Sequence, residues 1–195
     1  MNTYHVVGAG GVGFWLTVGL IRSQVRPIRI YDKDDLQGGL GHARLPVATP
    51  TTAKVDLLKG FLLVNFSPIA ELPAFINKKF TGNEVNEGDL VIDCTDLSDI
   101  ARKRIWNRAK KKGARCLRVS YDGANSVVVV AEGLPISGDK SASGYSSVPS
   151  LGLSLLAGGL GSEVIAKVDW ENTKHVEFQI SVVELIGGVS KGEQL

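Results

Sequence analysis

The sequence predicts an α/β domain: a doubly wound, mostly parallel sheet with helices on both faces and short antiparallel strands near its C-terminal end. Three observations predict it. The opening stretch YHVVGAGGVGFWLTVGLIRSQVRPIRIYDKDD (4–35) reads as strand, glycine turn, helix and second strand. Beyond it, short β-branched runs keep alternating with helix-length segments, the order that builds parallel βαβ units. The loops that carry glycines, cations or acids, at 8–13, 32–44 and 93–96, all follow predicted strands. In such sheets ligands bind beyond the carboxyl ends of the strands, so these loops should converge on one rim.

Taken in order, Tyr4–Val7 is a buried strand and Gly11 to about Ile21 a helix. Ile28–Tyr31 is the second strand, closed by Asp32. DDLQGGLGHARLPVATPTT (34–52) is rich in turn formers and reads as a loop. Ala53–Val64 is helical and is followed by the polar break NFSP, while Leu72–Lys79 fits a strand or a short helix equally. GDLVIDCTD (88–96) is an apolar run of strand length ending in polar residues. Ile100–Lys112 is a charged helix capped by Gly113. Ala114–Ser120 and Ser126–Ala131 are strands, and GLPISGDKSASGYSS (133–147) is a glycine/serine loop. Pro149 opens a helix to about Lys167 with Gly158 and Gly159 as its weak point, 175–186 holds one or two strands, and the tail (188–195) is frayed.

At 195 residues the chain fits a single domain over 1–195, with no internal repeats. A composition 44% hydrophobic and 22% charged is ordinary for a soluble globular protein. The net charge of +2 is too small to indicate a nucleic-acid or membrane partner. Two cysteines, Cys94 and Cys116, make neither a disulfide framework nor a four-cysteine zinc site, which fits a reducing cytoplasmic setting. No apolar run approaches the ~18 residues of a membrane span, and no basic flank precedes the first strand as in a signal peptide.

GAGGVG places Gly8, Gly10 and Gly13 in GxGxxG register directly after a strand, with Gly11 opening the helix. The first glycine permits the tight turn, the second lets a phosphate approach the backbone, and the third lets helix and strand pack closely. The helix N-terminus offers unpaired N–H groups to an anion. Asp32, at the end of the next strand, is placed to accept hydrogen bonds from ribose hydroxyls. This much describes a Rossmann-like nucleotide site and does not separate NAD from ATP. The rest of the rim favours ATP. Asp34 and Asp35 either support the metal or cap the loop, and Asp34 is counted with the glycine turn, Asp32, Arg44 and Lys54 among the cofactor-binding residues. Arg44 lies in that loop, Lys54 opens the next helix, and Asp93 and Asp96 lie beyond a central strand. Two cations and a carboxylate facing a glycine turn suit a triphosphate with Mg2+.

In GAGGVG, IYDKDD, Arg44, AKVDLL around Lys54, DLVIDCTD, Arg102 and SSVPSLGLSLLAGGLGSEVIAK, which together span most of residues 4–168, the chain resembles the ThiF/MoeB superfamily of ubiquitin-activating-like adenylyltransferases. The resemblance implies ATP·Mg-dependent adenylation of the C-terminal carboxylate of a small ubiquitin-like protein or peptide, releasing pyrophosphate. It implies roles for Asp32 on the ribose, Arg44 and Lys54 on the phosphates, and Asp96 on magnesium, and it implies a homodimer. The stretch 148–168 is apolar enough either to cover the interface or to pack on its own sheet. The chain departs from the family pattern in places. The usual Asn-x-x-Arg is Gly41-His42-Ala43-Arg44 here, the Asp-Asn pair is Asp96-Leu97, and zinc-binding CxxC pairs are absent. The crossover-type loop 133–147 has no cysteine to form a thioester. Two rival readings are a catalytically degenerate nucleotide-binding partner subunit and an NAD-dependent oxidoreductase. Of the remaining residues, Cys94 and Cys116 read as buried thiols, His5 and His175 carry no signal, and Lys110–Lys112 suit a helix C-terminus. Arg102 reads as structural or site-bordering.

Overall fold

The computed structural model describes residues 2–35, 52–66, 71–122, 127–132 and 151–182. Within them a seven-stranded sheet has the order β3-β2-β1-β4-β5-β6-β7. The strands are β1 (Tyr4–Val7), β2 (Ile28–Tyr31), β3 (Ala74–Ile76), β4 (Leu90–Asp93), β5 (Arg115–Asp122), β6 (Val127–Glu132) and β7 (Glu177–Ser181). The first five run parallel, with Val7 in register with Tyr31 on one side and Asp93 on the other. β6 pairs antiparallel with β5 and β7 antiparallel with β6, giving the antiparallel pairing expected near the C-terminal end. The chain builds outward from β1 to β3, then returns to place β4 on the other side of β1. The gap between the loops after β1 and β4 is therefore the topological switch point of the sheet, where open α/β folds form their ligand crevice.

Four helices complete the layers: α1 (Gly11–Arg22), α2 (Lys54–Asn65), α3 (Asp99–Lys111) and α4 (Leu151–Lys167). The ambiguous 72–79 segment is a strand, because Ala74–Ile76 extends the sheet beside β2. α1, α2 and α4 share one apolar layer on the sheet, with Phe14, Leu16, Leu20, Leu58, Leu62 and Ile165 buried in it. Each such side chain contributes about 1.5–3 kcal/mol by leaving water. α3 lies on the other face, where Ile105, Trp106 and Ala109 pack with Val7, Tyr31, Val91 and Cys116. Its last turn carries Arg108, Lys110 and Lys111. Gly113 follows with φ +82°, the left-handed conformation expected of its capping role.

α4 corrects one expectation. Gly158 and Gly159 do not break it, for the helix runs unbroken from Leu151 to Lys167. Gly158 is required by packing, whereas a Cβ at exposed Gly159 would meet nothing within 4 Å and that glycine keeps its cost in propensity. A Cβ at Gly158 would stand 2.6 Å from the Leu16 backbone nitrogen, and one at Gly161 2.7 Å from a Val119 methyl. From the other side, a Cβ at Gly19 would meet the Ser162 hydroxyl at 2.1 Å. These glycines let α1 and α4 touch nearly backbone to backbone, and the contact offsets their cost in helix propensity. α1 is apolar almost all round, the pattern of a helix enclosed by neighbours, whereas α4 keeps an exposed side with Leu155, Gly159 and Glu163. The 133–147 loop, Pro149 and the tail lie outside the described residues, and the other elements begin and end within two residues of their predicted bounds except in the strand stretches 72–79, 88–96 and 175–186.

Candidate functional site

The glycine turn joins β1 to α1 at the switch point. Gly8 has φ +93°, and its N–H donates to the Tyr31 carbonyl at 2.8 Å. Gly13 sits against that turn so tightly that a Cβ would lie 1.8 Å from the Gly8 carbonyl oxygen. Both glycines are therefore required by geometry. Gly10 is the N-cap of α1 and supplies no side-chain hydrogen bond, and the first intrahelical bond runs from the Phe14 N–H to its carbonyl. The N–H groups of Gly11, Val12 and Gly13 precede that bond and have no intrahelical acceptor. An uncapped glycine-rich helix start is chemically suited to a phosphate.

Asp32 holds this turn in place. One carboxylate oxygen accepts the Ala9 N–H at 2.7 Å, and the other accepts the Asp34 N–H at 2.9 Å. A carboxylate has about four acceptor sites, so two remain for hydroxyl donors. Asp34 in turn reaches Lys54: Lys54 Nζ donates to Asp34 Oδ2 at 3.4 Å, and the Lys54 backbone N–H donates to the Asp34 carbonyl at 3.1 Å. Lys33 Nζ donates to the other Asp34 oxygen at 2.8 Å. A bridge between Asp35 and Ala53 fastens the two ends of the intervening segment together. Thus Ala9, Asp32, Asp34 and Lys54 form one hydrogen-bonded chain from the glycine turn to the start of α2. Arg44, predicted to join them, lies outside the described residues, as does His42.

The loop after β4 forms the other lip. The Cys94 N–H donates to the Val7 carbonyl at 2.9 Å, and a Cβ on Gly8 would touch Thr95 and the Cys94 carbonyl at 3.1–3.3 Å. Asp96 is exposed at this lip and makes no hydrogen bond or ion pair among the described residues. Asp93, expected beyond the strand with Asp96, is instead the last residue of β4 and 3% exposed. It accepts from the Thr95 N–H and hydroxyl, from Arg102 Nε at 3.0 Å and from Trp106 Nε1 at 3.2 Å. Arg102 also donates to the Thr95 carbonyl at 3.0 Å and to Asp99 at 3.1 Å. Asp93 is therefore committed to structure, and Arg102 braces the Asp96-bearing loop from beneath. The signal was present in the sequence: Arg102, Ile105, Trp106 and Ala109 share one helical face, and a cation on such an apolar stripe requires a buried partner.

Sequence reading also passed over His5. It is fully buried, with Nε2 3.0 Å from Asp89 and Nδ1 3.3 Å from the Tyr31 hydroxyl, at the end of the sheet opposite the glycine turn. Burial lowers its pKa against the opposing pull of Asp89. Arg118 and Ser120 are buried on β5, with Arg118 in register with Asp93. Cys94 and Cys116 are not activated thiols. Burial, then Asp93, pushes Cys94 well above its usual range, and burial pushes Cys116 up to about 12. A recess of about 210 Å³ lined by Ile21, Arg26, Arg29, Glu71, Leu72 and Pro73 lies at the start of β2 and β3, opposite the rim, and is not part of this site.

Solved structures share the fold of this chain. Escherichia coli MccB with selenomethionine MccA superposes with a TM-score of 0.70 at 14% identity, over 92% of this chain and 60% of that one. The E. coli MccB structure with ATP gives 0.68 and 14%, over 92% and 63%. PaaA gives 0.61 and 18%, over 93% and 70%. The chain has the MccB fold. It spans about 60% of the length of MccB, which is described as a microcin C7 biosynthetic enzyme and has been solved with N-formylated MccA. No family model matches the sequence, and no curated protein matches it. Among the described residues no helix is long and apolar enough to cross a membrane.

Proposed function

We propose that this protein is a compact, divergent ThiF/MoeB-type adenylyltransferase that binds ATP·Mg at the switch point and adenylates the C-terminal carboxylate of a peptide or small ubiquitin-like protein, releasing pyrophosphate. The observation that carries the reading is the continuous chain from the uncapped glycine turn through Asp32 and Asp34 to Lys54, with the exposed Asp96 in the loop after neighbouring β4. The shared fold with an enzyme solved with ATP and with a peptide supports it.

In this reading the Gly8–Gly13 turn and the first N–H groups of α1 receive phosphate oxygens. Asp32 receives the ribose hydroxyls, and Arg44 and Lys54 offset phosphate charge. The described residues contain no cluster of three or more His, Cys, Asp or Glu side chains, so no all-protein cage is formed there. That fits magnesium, which retains waters and takes one or two carboxylates together with substrate phosphates. Asp96 is the residue that would hold it. Magnesium, when bound, would supply charge neutralisation on the polyphosphate. The substrate carboxylate attacks the α-phosphorus and pyrophosphate leaves with the bond it held. A peptide C-terminus is ionised at neutral pH, so no general base is needed and the protein contributes positioning and electrostatics. A thioester on this chain is not part of the reading, since the 133–147 loop has no cysteine and burial raises the thiol pKa of both Cys94 and Cys116. A homodimer is part of the proposal; since Gly158 and Gly161 face α1 and β5, it would use the outward side of α4, where Leu155 is exposed.

The test is pyrophosphate exchange into ATP against a panel of peptides and small proteins, beside thermal shifts with ATP·Mg and with NAD. At ~100 times its dissociation constant ATP·Mg should add about 2.7 kcal/mol. Exchange should vanish in Asp96→Asn with the fold retained. A shift with NAD and none with ATP would sink the reading.

A further inference from the structure

We propose that Asp34 is not a nucleotide ligand but the resting counter-ion of Lys54, an internal anion that the polyphosphate displaces. The inference rests on the nucleotide reading above and assigns Asp34 a competing role within that site.

Lys54 is the first residue of α2, and its N-cap, Ala53, makes no side-chain hydrogen bond. A helix N-terminus carries partial positive charge, so an ammonium there is disfavoured unless an anion stands against it. Asp56 lies in the same first turn, but the anion on the ammonium itself is Asp34, which contacts Lys54 twice, through its carbonyl to the backbone N–H and through its carboxylate to Nζ. The Lys54 side chain is only 12% exposed, whereas the Asp34 side chain is 50% exposed. The cation is tucked into the rim and the anion lies across its outer side. Lys33 shares the same carboxylate, so one acid balances two ammonium groups. The Asp34 carboxyl is held below its ordinary range, first by Lys33 and then by Lys54.

The two partners differ in freedom. Asp34 is fixed by its backbone, with its N–H on Asp32 and its carbonyl on Lys54, and Asp32 is fixed to Ala9. It cannot follow a departing ammonium. Lys54 ends a flexible four-carbon stem, so a polyphosphate on the neighbouring glycine turn could draw it off Asp34 without moving backbone. Both Asp34 oxygens accept from ammonium groups, which leaves this carboxylate less suited to ribose than Asp32, whose donors are main-chain N–H groups.

Removing the internal anion should therefore tighten polyphosphate binding. Calorimetry without magnesium would compare ATP and adenosine on the wild type, Asp34→Asn, Lys54→Ala and the double variant. Asp34→Asn is expected to bind ATP about two- to five-fold more tightly, the range carried by one exposed ion pair, with adenosine affinity unchanged. In the Lys54→Ala background the gain should fall below half its size. Weaker or unchanged ATP binding by Asp34→Asn, in a wild type that does bind ATP, would overturn the counter-ion role alone. An equal gain with and without Lys54 would overturn it too, since removal of charge would then explain the effect without the pair. A wild type that does not bind ATP would overturn both this inference and the nucleotide reading.

Discussion

Arg102→Met offers the most direct test of how the Asp96 lip is held. The guanidinium is 1% exposed and the Asp93 carboxylate 4%, with Nε and Oδ2 3.0 Å apart. Methionine keeps the apolar stem but removes the guanidinium, so Asp93 stays buried without its Arg102 partner, beside Arg118 in register on β5. Breaking a buried pair by removing one partner costs about 3–5 kcal/mol, because the remaining charge is uncompensated. The bond to Asp99 adds little, since that acid is 31% exposed and keeps its water. A domain typically holds about 5–15 kcal/mol in all, so this single change removes a large share. At about 2–4 °C per kcal/mol for a chain of this size, the melting temperature should fall by roughly 6–20 °C. Circular dichroism during thermal and urea unfolding reads both quantities. Adding Asp93→Asn should recover part of the loss because it removes the buried charge, although its single amide oxygen can keep the Thr95 bonds or the Trp106 bond and not both. A single variant that melts within about 2 °C of the wild type, or a double variant less stable than the single, would refute the argument.

Gly13→Ala should destabilise by at least about 1–3 kcal/mol, since its Cβ meets backbone rather than a movable side chain. Gly60→Ala, where a Cβ meets nothing within 4 Å on exposed helix, should instead raise stability by about 0.5–1 kcal/mol in the same unfolding assay. Stability should also fall on acidification: the His5 pKa is lowered in the fold, so the unfolded chain takes up its proton first, and the contribution is lost as pH falls through about 6.5. Asp89 is held below its ordinary range by Asn86, Thr3 and His5 against the opposing effect of burial, and adds a second loss as pH falls through about 4. His5→Gln should flatten the pH 7 to 5 portion of the urea-midpoint profile; an unchanged profile would remove His5 from the account. Iodoacetamide at pH 8 should label neither cysteine of the folded protein appreciably, with mass spectrometry as the readout, because both thiols are held protonated.

The strands and helices were readable from the sequence because each is decided by a local signal. Val6, Ile30 and Ile92 lie in short apolar runs, and Gly8, Gly10 and Gly13 occupy the one spacing that makes the turn. The Leu72–Lys79 stretch was not decidable because its three-residue strand is held by pairing with β2 rather than by its own pattern. Among the site residues, the positions of Asp32, Lys54 and Asp96 follow from which elements they end or begin. Their hydrogen-bond partners do not. Asp93 and Asp96 are equivalent as letters, yet one faces Arg102 and Trp106 beneath the sheet and the other faces solvent. Only the three-dimensional alternation of the strand end separates them. Gly158 failed in the opposite sense. Helix propensity marks it as a weakness, while its value lies in contact with α1, a helix more than a hundred residues earlier.

The two faces of the sheet divide the labour along this line. The face covered by α1, α2 and α4 is almost wholly apolar and is held by close packing, so substitutions there should act on stability first. The α3 face contains buried charge: Asp93 with Arg102 near the β4 lip, and His5 with Asp89 at the far end. Buried ionic groups add little net stability over apolar replacements, but they fix direction, because each donor must meet its acceptor. Through Thr95 the first pair determines where the Gly8 contact and the Asp96 carboxylate stand. A charge-neutral exchange on this face can therefore restore the fold without restoring the lip. The Asp93→Asn, Arg102→Met double variant is the case in point, since the amide no longer anchors a guanidinium and the Thr95 carbonyl loses its donor. It should regain stability while its magnesium-dependent binding of ATP stays impaired relative to binding without the metal. Recovery of both together would mean that the loop is set by its own backbone, and that Arg102 serves the core alone.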